Sequence, residues 1–515
     1  MVAVPRPSDL SLVDVGKTFG RHKVLRHVDL DIPAGSFVAL MGANGAGKTT
    51  LLRLVAGLAT PTTGAVTLAG VDLRKAGPGL RRMLGFVSHD GLLYGDLTGR
   101  QNLMFHARMF GVADPEARIE ELADVLDLRK VLDRPAGVLS RGNKQRLTLA
   151  RSLMHGPDVL LLDEPFTGLD EESSARLVQL LRALHAEGRT IVMTVHEMSR
   201  ALEGPTRLVV IGEGGIAVDE PIESLAAGTV YAEEAELVAA GASHVPVGHP
   251  GHAGRGPVSR PDLPERPELD EPHLAALTAR PALVVPPGRF RSAGLITAKD
   301  MRVELRSRDV LMSSGLFAVT VLITASFTTV QTGNTGSMAT GILWISLLFA
   351  VLLGVGRSMA RESQDRAIEG LLLSPAPRES IFLGKLAAGL VTMGLIEVFI
   401  VPMFLVLMTG ESQGSLDVGG LVLAVVLATV GITIVATLFS GIAVGSRMGE
   451  SLLPLIVMPV VIPLMIAAVE TTRQALGGDT SGSVSMFQWY ALLAGFDLVV
   501  GLAAIATFSF VVEDS

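Results

Sequence analysis

After about Arg291 the chain carries six apolar segments, centred near Ala318, Leu347, Ile396, Ile432, Val460 and Leu502. Each runs for about 20 residues, enough to cross a bilayer as a helix. No other feature constrains the fold as much. Hydrocarbon offers no water to a backbone N–H or C=O, so a lone segment satisfies its own polar groups only as a helix. The stretch 291–515 is therefore predicted to be an all-α membrane domain of six transmembrane helices. Its cations are unevenly spread. Lys299, Arg302, Arg306 and Arg308 precede the first segment, Arg357, Arg361, Arg366 and Arg378 follow the second, and Arg447 follows the fourth. The alternate loops, "QTGNTGS" and "ESQGSLDVGG", contain none, and the fifth-to-sixth connection has only Arg473. Positive charge stays on the cytoplasmic side, which puts both ends of this domain there.

Three details of the apolar half leave alternatives open. "ITAKDMRVELRSRD", ahead of the first segment, suits an amphipathic helix at the inner interface or an ordinary charged stop equally well. Glu397 and Asp497 fall within segments, where uncompensated charge is costly. They read as hydrogen-bonded or neutral acids between helices, or as marks of a path. Pro454, Pro459 and Pro463 share one segment and predict a broken or kinked helix.

The first half is different text. Short β-like runs alternate with amphipathic helices, as in "VLLLDE", "ARLVQLLRALHAEG" and "TIVMTV". That rhythm predicts an α/β domain with a substantially parallel sheet over 1–230. Between the halves, 231–290 turns to Pro, Gly, His and charge, too little apolar surface to fold alone, and is expected to be a flexible linker. Its His244, His249 and His252 read as solvated, because no carboxylate or Cys completes a ligand set. The chain has no cysteine, which excludes disulfides and thiolate metal sites. A net charge of −8 gives no reason to expect nucleic acid as a partner. The opening "MVAVPRPSDLSLVD" lacks an apolar core of signal-peptide length, so the first half is expected in the cytoplasm.

The chemistry of the first half begins at "MGANGAGKTT", where Gly42, Gly47, Lys48 and Thr49 fit the phosphate-loop spacing. A strand-like "SFVAL" precedes it and a helical "TTLLRLVAGL" follows. The glycines let backbone N–H groups turn inward around phosphate oxygens, and Lys48 adds a point charge. The ATP-binding loop is thus Gly42, Ala43, Asn44, Gly45, Ala46, Gly47, Lys48, Thr49 and Thr50. A second apolar strand, "VLLLDE", ends in two carboxylates. Asp163 is expected to hold Mg²⁺ through water, with Thr49 as the direct ligand, and Glu164 to orient or deprotonate the attacking water. A third strand ends at His196, placed for the γ-phosphate.

The order phosphate loop, "LSRGN", "LLLDEP", "GLD", "TVH" resembles the α/β P-loop ATPase of an ATP-binding cassette (ABC) protein. The resemblance implies that Phe19 stacks on adenine. It implies too that Ser140, Arg141, Gly142 and Asn143 close on the ATP of an opposite subunit, with Asp170 in the connecting loop. Ser140 would cap a helix starting near Lys144. The chain departs from the family's usual "LSGGQ" at Arg141 and Asn143. Arg141 is expected to point to solvent or to the other subunit and to alter coupling. His89 stands where relatives commonly have Gln, and either replaces it near Mg²⁺, leaves the place to Asp90, or does neither. One cassette and six spans make half a transporter, expected to work as a homodimer, the alternative being a heterodimer with a separate membrane partner.

The apolar half, in "GILWISLLFAVLLGVGRSMARESQDRAIEGLLLSPAPRESIFLGKLAAGL" and "ESLLPLIVMPVVIPLMIAA", is similar to the permease subunit of the cytochrome c maturation haem exporter. The cassette, with "LSRGN" and "LLYGDLT", is similar to the ATPase subunit of that system, so the chain resembles a fusion of the two. This implies a place in the bacterial inner membrane, beside a haem-handling membrane subunit and a periplasmic haem chaperone. All eleven histidines lie at or before His273, so the membrane half has neither His nor Cys. Common strong axial ligands for haem iron are missing there, leaving Met and Tyr490, and Trp344 and Trp489 form no Trp-rich platform. A motor for haem delivery fits better than a haem holder. An exporter of another hydrophobic cargo (lipid, polysaccharide or drug-like molecule) and a cassette that binds ATP without hydrolysing it remain as other readings.

Overall fold

The computed structural model describes residues 9–196, 203–226, 278, 280–332, 335–364, 366–408, 416–444, 449–477 and 485–513. His244, His249, His252, Arg447 and most of 231–290 lie outside these residues. Contacts divide the chain into two units, one of Met1–Pro287 with Asp365–Ala376, the other of Gly288–Gln364 with Pro377–Ser515.

The first unit is built on two sheets. Strands β1 (Leu10–Phe19), β2 (His22–Ile32), β4 (Thr63–Leu68) and β5 (Val71–Asp72) form an antiparallel sheet in the order β2-β1-β4-β5. Strands β3 (Phe37–Gly42), β6 (Leu84–Val87), β7 (Val159–Leu162), β8 (Thr190–Thr194), β9 (Arg207–Gly212) and β10 (Gly215–Pro221) form the second, in the order β10-β9-β3-β8-β7-β6. In it only β10 runs antiparallel to its neighbour. Every residue of β3, β6, β7 and β8 is buried. Such strands read as continuous apolar runs because both faces are covered. The period-2 alternation of a strand divides the core accordingly. Phe37, Ala39 and Met41 face one cluster, with α2 (Gly99–Phe110), α3 (Pro115–Val125), α4 (Arg141–Leu153) and α5 (Glu171–Ala186). Val38 and Leu40 face the other, with the first sheet and α1 (Lys48–Val55).

A segment from the far end of the sequence completes this unit. The short helix Ala367–Leu373 lies between the second and third apolar helices in sequence, yet Leu373 is 6% exposed within the cluster of β1, β2 and α1. Arg53 of α1 donates to Glu369 at 2.9 Å, and Arg366 pairs with Asp90 at 3.0 Å. Gly370 sits against the backbone of Leu92, where a Cβ would already be in contact.

The second unit is helical: α6 (Arg289–Ser307), α7 (Asp309–Thr332), α8 (Thr335–Gln364), α9 (Arg378–Met408), α10 (Val418–Val444), α11 (Gly449–Ala475) and α12 (Met486–Glu513). Among the described residues, six helices, α7 to α12, are long and apolar enough to cross a membrane. The inner ones are α8 and α10, each with 67% of its apolar window buried, against 17% for α12. The basic segment before the first span is a helix of its own, α6, ended by Arg308 in the left-handed region at φ 55°. It packs on α9 through Gly384, where an added Cβ would lie 2.7 Å from Ile296 and 2.9 Å from the carbonyl of Ala293. The three prolines do not break α11, which runs unbroken through Pro454, Pro459 and Pro463. Arg473, expected in a loop, lies in the last turn of α11 and pairs with Glu470 at 2.6 Å. Inside the bundle, Trp344 donates to Thr472 at 2.9 Å. Glu397 accepts a hydrogen bond from Thr429, and Asp497 lies against Gly431.

Candidate nucleotide site

Strand β3 delivers the chain to Gly42, whose φ of 153° only glycine adopts at low cost. A Cβ there would lie 2.5 Å from the carbonyl of Ile211. The loop then turns through Gly45 and Gly47, at φ 84° and 106°, and α1 begins at Lys48 with Gly47 as its N-cap. No side chain caps that end, so the first N–H groups of α1 are offered to a ligand. Lys48 curls back into the loop and donates to the carbonyls of Gly42 at 2.6 Å and Ala43 at 3.1 Å. Burial pulls its pKa down, against the opposing pull of Glu164 and Asp163. A cleft beside the loop is lined by Ala43, Asn44, Gly45 and Ala46 together with His22 and Lys23 of β2. Phe19, at the end of β1, is 54% exposed, with the Lys17 ammonium 5.0 Å above its ring.

Asp163 and Glu164 follow β7 directly, and their environments diverge. Asp163 is 2% exposed, and burial pushes its pKa up despite hydrogen bonds from Thr49 and Thr194. Glu164 takes a left-handed backbone, φ 50°, strained for a residue with a Cβ. Burial pushes its carboxyl up, but hydrogen bonds from His196 and Thr167 outweigh this and hold it below the usual range. His196 Nε2 lies 2.7 Å from Oε1, and Thr167 donates to Oε2 at 3.2 Å. Thr194, not singled out in the sequence, ties the pair together. Its hydroxyl donates to Asp163 Oδ1 at 2.9 Å and accepts from the Glu164 N–H at 2.7 Å. Gln145 of α4 holds the same turn by donating to the Pro165 carbonyl at 3.1 Å. The polar pair Thr194–His196 inside an apolar strand run was the available signal for the first of these. Nothing local marks Gln145.

The fold brings Lys48, Thr49, Asp163, Glu164, His196 and His89 into one neighbourhood. His89 Nδ1 lies 3.8 Å from Glu164 Oε2 and its Nε2 lies 3.5 Å from the Arg141 guanidinium. Arg141 is exposed, one of the two orientations expected of it. Its stem crosses Gly168, where a Cβ would lie 2.8 Å from Cγ, and its head reaches His89. Asp90 faces away to Arg366. The helix expected near Lys144 starts at Arg141, because Ser140 caps it by accepting from the N–H of Asn143 at 3.4 Å. Gly142 is held against the carbonyl of Gly168. Asp170 caps α5 through the N–H of Ser173 at 2.8 Å. The donor set around the loop suits a hard cation on a phosphate: a hydroxyl at Thr49 and a carboxylate at Asp163, with no thiolate or imidazole needed.

Residues 25–167 match the ABC transporter family, and residues 292–513 match the CcmB protein family. The Nod factor export ATP-binding protein I of Burkholderia orbicola (strain AU 1054) is 39% identical over 203 residues, 39% of this chain and 67% of that protein. The chain belongs to the ABC transporter family. The sulfate/thiosulfate import ATP-binding protein CysA of Thermosynechococcus vestitus is 40% identical over 210 residues, 40% of this chain and 62% of that protein. The chain thus spans about three fifths of the length of that ABC relative. A solved structure, the post-hydrolysis dimer of the ATP-binding cassette MJ0796 with ADP and Pi, is 27% identical and aligns at a TM-score of 0.39 over 41% of this chain and 98% of its own. The chain thus joins an ABC transporter cassette to a CcmB-family region whose described residues include six helices long and apolar enough to cross a membrane.

Proposed function

We propose that this ABC transporter works in haem delivery for cytochrome c maturation. Two copies would pair in the bacterial inner membrane, with cassettes and termini in the cytoplasm. The observation that carries the cargo is the CcmB match over 292–513, fused behind the cassette in one chain. The cassette does not choose a cargo, since its relatives are named for sulfate import and for Nod factor export. The lack of His and Cys after His273 supports a motor acting beside a separate haem-handling subunit and a periplasmic haem chaperone.

In the proposed cycle the glycine-rich loop and the start of α1 cradle the ATP phosphates, Lys48 leaves its carbonyl partners for them, and Phe19 stacks on the base. Thr49, directly, and Asp163, through water, would hold Mg²⁺, which when bound would supply charge neutralisation at the phosphate oxygens. Glu164, aimed by its backbone and by His196 and Thr167, receives a proton from water as the water oxygen bonds to the γ-phosphorus. The bond to the β–γ bridging oxygen breaks, leaving ADP and phosphate. Ser140, Gly142 and Asn143 complete the partner's site, so turnover requires two cassettes, and Asp170 lies on the seam between them.

The cargo is tested in cells lacking the protein. Loss of covalently haem-attached cytochrome c, restored by the parent gene and not by a Glu164→Gln copy, supports the proposal. Normal amounts of attached haem remove it.

A further inference from the structure

The second unit buries four formal charges where three helices meet. Lys299 and Asp300 come from α6, Glu362 from the last turn of α8, and Lys385 from the second turn of α9. Their side chains are 2%, 10%, 3% and 4% exposed. Glu362 Oε1 accepts from both ammonium groups at 2.5 Å. Asp300 closes the ring, 2.8 Å from Lys299 and 3.0 Å from Lys385. Two cations meet two anions, so the cluster is neutral without any ligand. A second contact pins the corner after α6. Arg361 reaches Glu304 at 3.5 Å and Asp309 at 2.9 Å, while Glu304 accepts from the Leu311 N–H at 2.8 Å.

Burying four charges costs several kcal/mol each before pairing, and apolar side chains would hold three helices as firmly. What the ions add is direction, because each helix has one position in which all four are paired. The place of the cluster in the sequence is informative. Between Glu362 and Lys385 the chain leaves this unit, adds the helix Ala367–Leu373 to the cassette, and returns. The chain entering that helix and the chain leaving it are both clamped to α6 by the same four side chains.

We propose that Lys299, Asp300, Glu362 and Lys385 are positioning residues for coupling: they make α8, α9 and α6 move as one body, so that displacement of the cassette-bound helix Ala367–Leu373 reaches the spans. This rests on the reading of the protein as an ATP-driven transporter, and needs no particular cargo.

The absence of cysteine makes a cargo-free test direct. Met338→Cys, at the start of α8, and Leu416→Cys, ahead of α10, carry a spin-label pair in full-length protein in lipid nanodiscs. Their separation is measured with and without ATP in the Glu164→Gln background, and ATPase activity is measured in the parent background. Glu362→Leu with Lys385→Met keeps the site neutral and packed. It is expected to retain ATPase activity within about twofold and to lose the ATP-dependent distance change. Reversing all four charges, Lys299→Glu, Asp300→Lys, Glu362→Lys and Lys385→Glu, keeps the signs alternating around the ring and is expected to restore it. A change that survives in the apolar pair overturns the clamp and leaves the transporter reading standing. No ATP-dependent change in the parent overturns both.

Discussion

The two units bury charge in opposite ways. In the cassette, Lys48 bonds to backbone carbonyls and Asp163 to hydroxyls, so neither is neutralised by a fixed ion partner at bonding distance. Burial consequently drags Lys48 down and Asp163 up. In the membrane unit, Lys299, Asp300, Glu362 and Lys385 cancel one another within 3.0 Å. The first arrangement is completed by a charged substrate and the second is complete as it stands. Buried charge thus marks a binding site where it is unbalanced, and a structural or mechanical joint where it is balanced.

The comparison is broken most severely at Glu164. Glu164→Gln keeps the size and the His196 contact but cannot accept a proton, and should lower kcat by about 10²–10⁴-fold with ATP still bound, as measured by turnover and nucleotide retention. Next come single cuts in the balanced cluster. Lys385→Met alone leaves two buried carboxylates, Asp300 and Glu362, sharing the one ammonium of Lys299 and should destabilise by about 3–5 kcal/mol, whereas Glu362→Leu with Lys385→Met should be near neutral. Thermal unfolding of the detergent-solubilised protein, one variant against two, reads the difference. Equal losses would mean that the four charges do not form a balanced set.

A third prediction concerns buried groups that belong to neither set. His106 and His155 stack on Phe110 in the cassette core, at ring separations of 4.3 Å and 4.0 Å. Burial pushes both pKa values below that of an exposed imidazole, His155 to about 3. The unfolded chain therefore takes up protons first as pH falls. Stability is full above about pH 6.5 and should decline by about 1.4 kcal/mol per pH unit for each histidine below it, for His155 until about pH 3. Hydrogen exchange in α2 and α4 at pH 5 against pH 7 checks the sign. The smallest effect is expected at Arg366, half exposed and paired with Asp90. Arg366→Ala should cost less than about 1 kcal/mol, as exposed ion pairs do, measured by the same thermal unfolding.

The outlines of both units were legible because their signals are local. Strand β3, the loop and α1 follow from an apolar run, glycines and a helical repeat in adjacent residues. The six apolar helices follow from length and hydropathy alone. The start of α4 was misjudged by three residues, since Ser140 can cap only the helix whose first turn presents the Asn143 N–H. The contact of Arg141, exposed as expected, with His89 across Gly168 was not legible, because those residues meet only through the fold. The prolines of α11 were expected to break or kink the helix, and it runs continuously through all three.

Sequence by itself determined the α/β half, the six apolar helices and the family, since periodicity and motif spacing depend on neighbours along the chain. It could not reveal that Thr194 joins Asp163 to Glu164, that Ala367–Leu373 belongs with the cassette, or that Lys299, Asp300, Glu362 and Lys385 close one ring. Those facts depend on residues far apart in sequence meeting at 2.5–3.0 Å. Pairing energies at that range are set by distance and burial, which only the folded chain supplies.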